Sequence, residues 1–395
     1  MLPKNLKDFL INTVEKRKIN AGRRHEINKF KDERRQAIYE KVQLTEEQIK
    51  KLDDFYLSNY GEKIPYTWHR HYTAFTGNFD EKYVPELLYT SEFERFMSQY
   101  SEYAKTFTDK NMLQFLALGA GVKMPRTYIS GTKGALRDGE NRFISDEEAI
   151  SLLSDVGEAF IKPSVDSSSG RGCFVVNFCG GKDLVSGKTV EQILEGLGKD
   201  FIIQERLKCH SSISQIYAGS VNTFRVITYR WRDRILRFPA IMRIGSGGAY
   251  LDNAHAGGMF IAVSDEGILH KTAFTEFKKE FTVHPDTGTV FEGYKIDLFP
   301  RVLEAAERMH MALPQIGVVN WDFTIDDEGE PLLIEANMRN GKQSGSIWLM
   351  EMAHGCGAFG ENTAEVLRWL RLMKNTPKSK WHLYEFGNFA DKTKK

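Results

Sequence analysis

The stretch GVVNWDFTIDDEGEPLLIEANMRNG, residues 317–341, consists of two short apolar runs separated by the turn-forming residues DDEGEP. Successive side chains of a strand point to opposite faces of the sheet. The first run therefore places Trp321 on an apolar face and Asp322 on the other, and the second run places Glu335 on the same side as Asn337. The stretch predicts a β-hairpin with two acids and an amide on one face.

The register of this hairpin brings the two acids together. If the hairpin is symmetric about its turn at Glu328–Gly329, Asp322 lies directly opposite Glu335. Cross-strand neighbours have Cβ atoms about 4.5–5.5 Å apart, and like charges repel at that distance unless something neutralises them. A divalent cation would do so, because the oxygen atoms of Asp322, Glu335 and Asn337 suit Mg²⁺ or Mn²⁺. The alternative is a hairpin whose second face is simply solvated.

A lysine and a Ser/Gly-rich loop lie upstream, in EAFIKPSVDSSSGRGCFVVNF, residues 158–178. A short apolar strand presents Lys162, and the loop from Ser164 to Gly172 leads to a second strand. Glycines let the backbone approach an anion with its N–H groups, while the lysine supplies a positive charge. The combination indicates a flexible lid over a nucleotide, although it is not a Walker sequence. The alternative is an ordinary hairpin turn.

Further strands lie between the loop and the hairpin. The run DFIIQERL, residues 200–207, predicts a buried strand whose end would suit a flat base lying against backbone donors and acceptors. Two later β-rich runs carry Arg225 and Arg243, before a Gly-rich turn that leads to Asp252 and His255. Strand arginines with little acid nearby are costly to bury without an anion, and a triphosphate or a carboxylate would serve. The alternative is an exposed sheet face.

Composition indicates an ordinary globular protein of two or three domains. The chain has 395 residues, 41% of them hydrophobic, which is enough for a sizeable core in each domain. With 54 Lys+Arg against 53 Asp+Glu, no global field recruits nucleic acid. Four cysteines without metal-ligand spacing favour reduced thiols. No leader sequence and no long apolar run is present, so we expect a cytoplasmic protein without a transmembrane segment.

The first part of the chain differs from the rest. Residues 1–105 are rich in charged and aromatic residues at helical spacing, which predicts a mainly helical N-terminal domain. Residues 1–41 are locally basic and would suit a membrane surface or a protein partner, unless they form a solvated helix face. From about residue 106, β-rich runs alternate with helical segments, which is typical of an α+β or α/β domain.

The order of lysine-bearing strand, Ser/Gly loop, Gln-Glu strand, paired arginine strands and Asp-x₁₂-Glu-x-Asn resembles the ATP-grasp superfamily over about residues 106–370. The arginine strands and DNAHAGG resemble its glutamate-ligase-like branch, and LTEEQIKKLDDFY and WHRHYTAFTGNFDEKYVPE resemble its sugar-transfer-associated group. The resemblance implies two α+β subdomains that clasp a nucleotide, preceded by a helical domain. The implied units are 1–105, a lid subdomain at 106–206, a metal-site subdomain at 207–375 and a tail at 376–395.

The resemblance also implies a role for each matching residue. The implied nucleotide-binding residues are Lys110, Lys162, Ser167, Ser168, Ser169, Gly170, Arg171, Gly172, Gln204, Glu205, Arg206 and Leu207. Lys162 would bind phosphate, the loop would cover it, and Gln204 to Leu207 would hold adenine. The implied ligands of one or two Mg²⁺ or Mn²⁺ ions are Asp322, Glu335 and Asn337. The implied catalytic residues are Arg225, Arg243, His255 and Arg339.

Two departures from the family pattern have consequences. Asn320 stands where ligases of the superfamily frequently have a basic residue, so that charge stabilisation must fall on Arg225, Arg243 or Arg339. No acid follows the Gln-Glu strand at the spacing usual for binding ribose hydroxyls. The ribose contact therefore has no candidate residue.

The activity implied by the resemblance is that of an ATP-dependent carboxylate–amine ligase. A carboxylate would attack the γ-phosphoryl group of Mg-ATP, and an amine would then displace phosphate from the acyl phosphate. His255 is a candidate base for the amine, and Arg339, Lys342 and Ser344 are candidates for binding the acceptor. A uronic acid or an amino acid joined to a saccharide would suit a role in cell-surface polysaccharide biosynthesis.

Two other functions stay open at this point. One is a phosphotransferase that phosphorylates a hydroxyl group. The other is a non-catalytic nucleotide-binding scaffold that contacts glycosyltransferases through residues 1–41. A scaffold has no need of two facing acids, which counts against that reading.

Overall fold

Helices make up the first part of the computed structural model, which describes residues 4–165, 170–249, 252, 257–338 and 347–389. They are α1 (Lys4–Lys29), α2 (Glu33–Tyr39), α3 (Glu46–Asn59), α4 (Thr67–Thr76), α5 (Glu86–Leu88), α6 (Glu94–Met97), α7 (Ser101–Phe107) and α8 (Lys110–Gly119), with a π-helical turn at Tyr89–Phe93. α3 begins at a capping box of Thr45 and Gln48. α4 ends at Gly77, whose φ of 80° favours glycine. The predicted helical N-terminal part is confirmed.

The middle of the described chain forms an antiparallel sheet of seven strands, the small sheet. Its strands are β1 (Thr127–Thr132), β2 (Ala135–Asp138), β3 (Phe143–Ile144), β4 (Gly157–Pro163), β5 (Phe174–Cys179), β6 (Lys182–Asp183) and β7 (Phe201–Glu205). They lie in the order β3-β2-β1-β7-β4-β5-β6. α9 (Asp146–Leu153) and α10 (Val190–Gly196) pack on one face against a core that includes Ile161 and Ile203. The opposite face carries Lys162, because side chains alternate along β4.

A second antiparallel sheet, the large sheet, contains eight strands of the described chain. They are β8 (Thr223–Trp231), β9 (Arg234–Arg237), β10 (Ala240–Ile244), β11 (Met259–Val263), β12 (Leu269–Phe274), β13 (Glu280–Phe281), β14 (Val318–Ile325) and β15 (Pro331–Met338). The order is β13-β12-β11-β10-β8-β14-β15, and β9 pairs with β8. The accompanying helices are α11 (Ser211–Ser214), α12 (Phe299–Met311), α13 (Ile347–His354) and α14 (Thr363–Asn375), with 3₁₀ turns at Gly360–Asn362, Lys378–Leu383 and Glu385–Gly387.

Helices cover both faces of the large sheet. On one face, Trp321 belongs to a core that includes residues of α7, α8 and α12. On the other, Tyr229 and Phe260 share a continuous core with the N-terminal helices and with α13 and α14. Every residue of β14 is consequently buried, including Asp322, which is 2% exposed. The alternative of a solvated second face is therefore wrong for Asp322.

The architecture agrees with the predicted class. The chain combines two antiparallel sheets, each with its own helices, behind a helical N-terminal part. The boundaries proposed at residues 105, 206 and 375 stay predictions. Among the described residues, no helix is both long enough and apolar enough to cross a bilayer.

Candidate active site

The predicted hairpin is present, with the predicted register at its open end. β14 and β15 pair so that Asp322 lies opposite Glu335 and Asn320 lies opposite Asn337. The register shifts by one residue between Asp322 and Phe323, on the side of the turn. The predicted metal-ligand side chains thus share one face of two adjacent strands.

Both acids of the hairpin have positively charged partners. Arg225, opposite Asp322 on β8, donates from Nε and Nη2 to the two carboxylate oxygens, with an Nη2–Oδ2 distance of 2.8 Å. Arg243 Nη2 lies 3.2 Å from Asp322 Oδ2, and Lys110 Nζ lies 3.2 Å from Glu335 Oε1. Burial acts to raise the pKa of Asp322, but the two guanidinium groups outweigh it and hold that pKa below its usual range.

These ion pairs already bring positive charge to the predicted metal site. The cations offset the charges of Asp322 and Glu335, so that repulsion alone no longer requires Mg²⁺. The donor set still fits the ion, because Asp322, Glu335 and Asn337 offer oxygen ligands and the side chain of Glu335 is 30% exposed. The Asn337 amide nitrogen lies 3.5 Å from Asp322 Oδ2, and Glu335 is the cross-strand partner of Asp322. Their assignment as metal ligands stays a prediction.

Arg243 also interacts with a second buried acid. Its Nε lies 3.4 Å from Asp252 Oδ2, and its Nη2 donates to Thr223 Oγ1 at 2.7 Å. Thr223 in turn donates to Asp252. Burial raises the pKa of Asp252 despite these contacts. The expectation that Arg225 and Arg243 lack nearby acid is wrong, because the fold brings Asp322, 97 positions from Arg225, and Asp252, from the turn that follows Arg243, against these guanidinium groups.

A hydrogen-bond chain on the other face fixes β14 behind the site. Trp321 Nε1 donates to Thr228 Oγ1 at 2.7 Å, and the Thr228 hydroxyl lies 2.7 Å from His310 Nδ1. His310 Nε2 lies 2.8 Å from the carbonyl oxygen of Ile316. The chain is complete when His310 is neutral, donates from Nε2 and accepts at Nδ1. It joins β8, β14 and α12, and so holds the strand that presents Asp322.

Two lysines, Lys110 and Lys162, lie beside Glu335 of the hairpin. Lys162 is 6% exposed, and its side-chain amine makes no hydrogen bond or salt bridge with any described residue. Burial, together with the neighbouring charge of Lys110, lowers the pKa of Lys162 to about 8, although Glu335 acts in the opposite direction. A buried amine without a counterion beside a second amine is an arrangement that an anion would stabilise.

The end of β4 adds a buried hydroxyl to this region. The backbone N–H of Lys110 donates to the carbonyl oxygen of Ser164 at 3.0 Å, which ties the start of α8 to the strand that carries Lys162. Within the described residues, Ser164 Oγ is buried without a hydrogen-bond partner. Cys173 also lies here, and burial raises the pKa of its thiol. The sequence-based predictions placed Ser164 at the start of the lid loop but did not assign it as a nucleotide-binding residue, although it lies only two positions beyond Lys162.

The predicted lid is only partly described. Ser167, Ser168 and Ser169 lie outside the described residues. Gly170 and Gly172 have φ values of 72° and 77°, which favour glycine, and Cys173 donates its N–H to Gly170 at 3.0 Å. These residues form a tight turn before β5. A phosphate-binding role for the lid, including Arg171, stays a prediction.

The predicted adenine-binding residues lie at the end of β7. Gln204 Nε2 donates to the carbonyl oxygen of Pro125 at 3.1 Å, and Glu205 Oε1 accepts from the N–H of Arg126 at 2.7 Å. These two side chains therefore hold β7 against the segment before β1. Arg206 forms an exposed ion pair with Glu158 at 2.8 Å, and the neighbouring Leu207 is half-buried. A role for this segment in binding adenine would have to come from its backbone.

The sequence-based predictions also did not include an apolar surface that lies beside Lys162. Phe160 precedes Lys162 by two residues, so both side chains lie on the same face of the small sheet. Phe160 pairs with Val175 of β5, and Lys162 pairs with Ile202 of β7. Phe160 and Val175 are half-buried. The alternation of FIK in the sequence was the signal for this surface, which would suit a flat ring.

Several predicted residues fall outside the described part of the chain. They are His255, Arg339, Lys342 and Ser344, and their roles stay predictions. Within the described part, no group of three or more His, Cys, Asp or Glu side chains is arranged to hold a metal ion. The hairpin site does not meet this criterion, because only two of its three predicted ligands, Asp322 and Glu335, are acids and the third is the amide of Asn337.

Two antiparallel sheets with helical covers, which meet at a cluster of lysines, arginines and acids, are the arrangement expected of an ATP-grasp protein. A family model described as sugar-transfer associated ATP-grasp matches residues 88–366, and the chain belongs to that family. The match includes both sheets and every predicted site residue. The resemblance inferred from the sequence is therefore confirmed.

Solved structures resemble the chain more distantly. The VanG D-Ala:D-Ser ligase from Enterococcus faecalis has 14% identity and a TM-score of 0.40, with 68% of this chain and 62% of that chain covered. The D-alanine–D-alanine ligase from Bacillus anthracis has 15% identity and a TM-score of 0.36, with 68% and 70% covered. The chain thus spans less than two thirds of the length of the first of these. No curated protein sequence matches significantly.

Proposed function

We propose that this protein is an ATP-dependent carboxylate–amine ligase that forms an amide through an acyl phosphate. The observation that carries the proposal is Lys162, a buried amine without a counterion among the described residues and beside Lys110. A polyphosphate would supply the missing negative charge. The unpaired hydroxyl of Ser164 would donate to the same group.

The nucleotide would lie between the two sheets. Its phosphates would face Lys110, Lys162 and the lid, and its base would lie against Phe160 and Val175. Mg²⁺ would be held by Asp322, Glu335 and Asn337, where it would neutralise phosphate charge. Glu335, the most exposed acid of this set, lies 3.2 Å from Lys110, which links the proposed metal side of the cleft to the phosphate side.

The reaction would proceed in two steps. An oxygen of the substrate carboxylate attacks the γ-phosphorus while the bond to the bridging oxygen of ADP breaks. The amine nitrogen then attacks the acyl carbon, inorganic phosphate leaves, and the nitrogen loses a proton. Lys162 and Lys110 would offset charge on the transferring group, and the lid would exclude water from the acyl phosphate. Arg225 and Arg243 would act through the position of Asp322.

The state of Asp322 favours a ligase over a phosphotransferase. A hydroxyl acceptor needs a base to remove its proton, and an aspartate usually serves. Asp322 is bound by Arg225 and Arg243, and its pKa is lowered, which makes it a poor base. A carboxylate acceptor is already ionised at neutral pH and needs no base. In keeping with the family's association with sugar transfer, we propose a uronic acid or an amino acid as the acid substrate.

The test is product analysis with the full chain. The protein is incubated with Mg-ATP and pools of carboxylic acids and amines, and ADP, phosphate and new masses are measured. A ligase yields ADP, phosphate and amide in equal amounts, and only when acid and amine are both present. A phosphorylated hydroxyl compound formed without amine would establish the phosphotransferase instead. Absence of ADP release with every pool, despite ATP binding, would support the scaffold.

A further inference from the structure

The outward face of α1 carries a row of exposed apolar side chains. Leu6, Phe9, Leu10 and Val14 are 43%, 65%, 46% and 45% exposed. Their spacing of three and four residues places them along one side of the helix, and we call them the α1 apolar stripe. Four large hydrophobic residues are exposed within nine positions. Contact of such a group with water is unfavourable, and exposed apolar patches commonly mark sites of interaction.

The charges of α1 are sorted between its two faces. Of its three acidic residues, Glu15 and Glu26 are buried against the rest of the protein and Asp8 is half-buried. The basic residues Lys16, Arg17 and Arg24 are exposed. Arg17 and Arg24 follow Leu10 at intervals of seven residues, which is close to two helical turns, so they continue the line of the stripe. Along the outward face from the N-terminal end of α1, exposed apolar residues are followed by exposed basic residues, and no glutamate of α1 is exposed there.

The helix is held in place from its inner side. Glu15 accepts from Arg95 at 2.6 Å and from Lys378 Nζ at 2.8 Å, and the backbone N–H of Lys378 donates to Asn12 at 2.8 Å. Lys29 pairs with Glu26 at 2.6 Å. The outward face is therefore presented on a preformed helix, and no ordering of the helix is needed on binding.

We propose that α1 binds the surface of a membrane that contains anionic lipids. The α1 apolar stripe would enter the boundary between headgroups and acyl chains, and Arg17, Arg24 and Lys16 would contact the lipid phosphates. An anionic surface matches the charge of this face, whereas a neutral apolar partner would leave the arginines without counterions. The helix would lie on the membrane, in keeping with the lack of a spanning helix among the described residues.

The experiment measures sedimentation of the full chain with lipid vesicles. Vesicles of phosphatidylcholine with 30% phosphatidylglycerol should bind the protein, and vesicles of phosphatidylcholine alone should bind it at least about tenfold more weakly. The double variants Phe9→Ser/Leu10→Ser and Arg17→Glu/Arg24→Glu should each weaken binding by about tenfold or more. Added salt should reduce binding of the unaltered chain.

Matched variants elsewhere serve as controls. Leu184→Ser/Val185→Ser removes two apolar residues that are 65% and 72% exposed. Lys188→Glu/Lys199→Glu reverses two exposed charges. Both should bind vesicles like the unaltered chain, and circular dichroism should show all variants folded.

Three results would overturn the proposal. Equal binding to neutral and anionic vesicles would remove the role of the arginines. Unchanged binding of the α1 variants would place the contact elsewhere. A dimer in lipid-free sedimentation analysis that Phe9→Ser/Leu10→Ser dissociates, without vesicle binding, would show that the stripe joins two copies of the chain.

Discussion

At the scale of single residues, burial of Lys162 carries a cost that the described residues offset only in part. Its pKa is lowered from 10.5 to about 8. A shift of this size makes the protonated lysine cost the folded state about 3 kcal/mol. The cost is fully present below pH 8 and is lost as the pH rises through 10.5, above which the amine is neutral in the unfolded chain as well.

We predict that Lys162→Met stabilises the nucleotide-free protein and abolishes ATP binding. Because methionine removes a buried charge, the free energy of unfolding at pH 7 should rise by about 1–3 kcal/mol, and the gain should vanish near pH 10.5. Urea unfolding and titration calorimetry measure the two effects. Lys188→Met, at an exposed position, should change neither. Destabilisation by Lys162→Met would mean that the amine already has a stabilising partner.

Glu335 is the more exposed of the two acids in the proposed metal site. Glu335→Gln should reduce ADP release to background while the fold is kept, because the variant loses a proposed metal ligand and the charge that pairs with Lys110. Glu328→Gln is the control, since Glu328 lies in the turn of the same hairpin and pairs with exposed Lys123. A steady-state ADP assay with the substrates found by product analysis is the measurement. Normal turnover of Glu335→Gln would exclude the metal assignment.

At the scale of elements, β8, β10 and β14 are joined by a buried network of charges. Asp322→Asn would leave Arg225 and Arg243 without their shared carboxylate. Breaking a buried ion pair from one side costs about 3–5 kcal/mol, so urea unfolding at pH 7 should show a loss of that order. Asp265→Asn, which weakens an exposed pair with Arg237, should cost less than about 1 kcal/mol. Similar losses for both variants would contradict a structural role for the network.

The same elements show what sequence can predict. The pairing of Asp322 with Glu335 was predicted from a hairpin symmetric about Glu328–Gly329, but the pairs nearest the turn are offset from that register by one residue. The irregularity between Asp322 and Phe323 restores the predicted pairing, and the sequence did not indicate it. The pairing of Asp322 with Arg225 joins residues 97 positions apart, and no local pattern encodes it. For the same reason the sequence did not indicate that Lys110 would reach Glu335 from the start of α8. Local geometry was predictable, and partners brought together by the fold were not.

At the scale of the whole molecule, buried histidines couple stability to pH. Burial lowers the pKa of His69 and His71 to about 3 and that of His310 and His354 to about 4. The unfolded chain binds protons at these sites near pH 6.5, whereas the folded protein does not. Stability therefore falls as the pH drops from 6.5 towards 4, by about 1.4 kcal/mol per pH unit for each such histidine.

We predict that His71→Phe reduces this acid sensitivity. The His71 ring packs among aromatic side chains, with its centroid 5.2 Å from Phe30 and 5.4 Å from Phe75, so phenylalanine has suitable neighbours. The slope of unfolding free energy between pH 5.5 and 4.5 should fall by about 1.4 kcal/mol per pH unit. Urea unfolding at several pH values measures the slope. His382→Gln, at an exposed position, should leave it unchanged, and an unchanged slope in His71→Phe would show that His71 does not contribute.

The domain organisation was harder to predict than the hairpin. Composition separated a helical first part from a β-rich remainder, and that division is present. Composition did not indicate that Phe30 and Trp68 share a core with Tyr229 of the large sheet and Trp369 of α14. Apolar helical faces reveal that a helix packs against something, but not which surface it packs against.

This shared core has a consequence for synthesis of the chain. The back of the large sheet is closed by α1 to α4, which precede it in the sequence, and by α13 and α14, which follow it. During translation the early helices emerge long before the strands and late helices that complete their packing. Until then their apolar faces lack the surfaces that bury them. We therefore expect nascent chains halted before α13 to bind chaperones and to be cleaved by proteases.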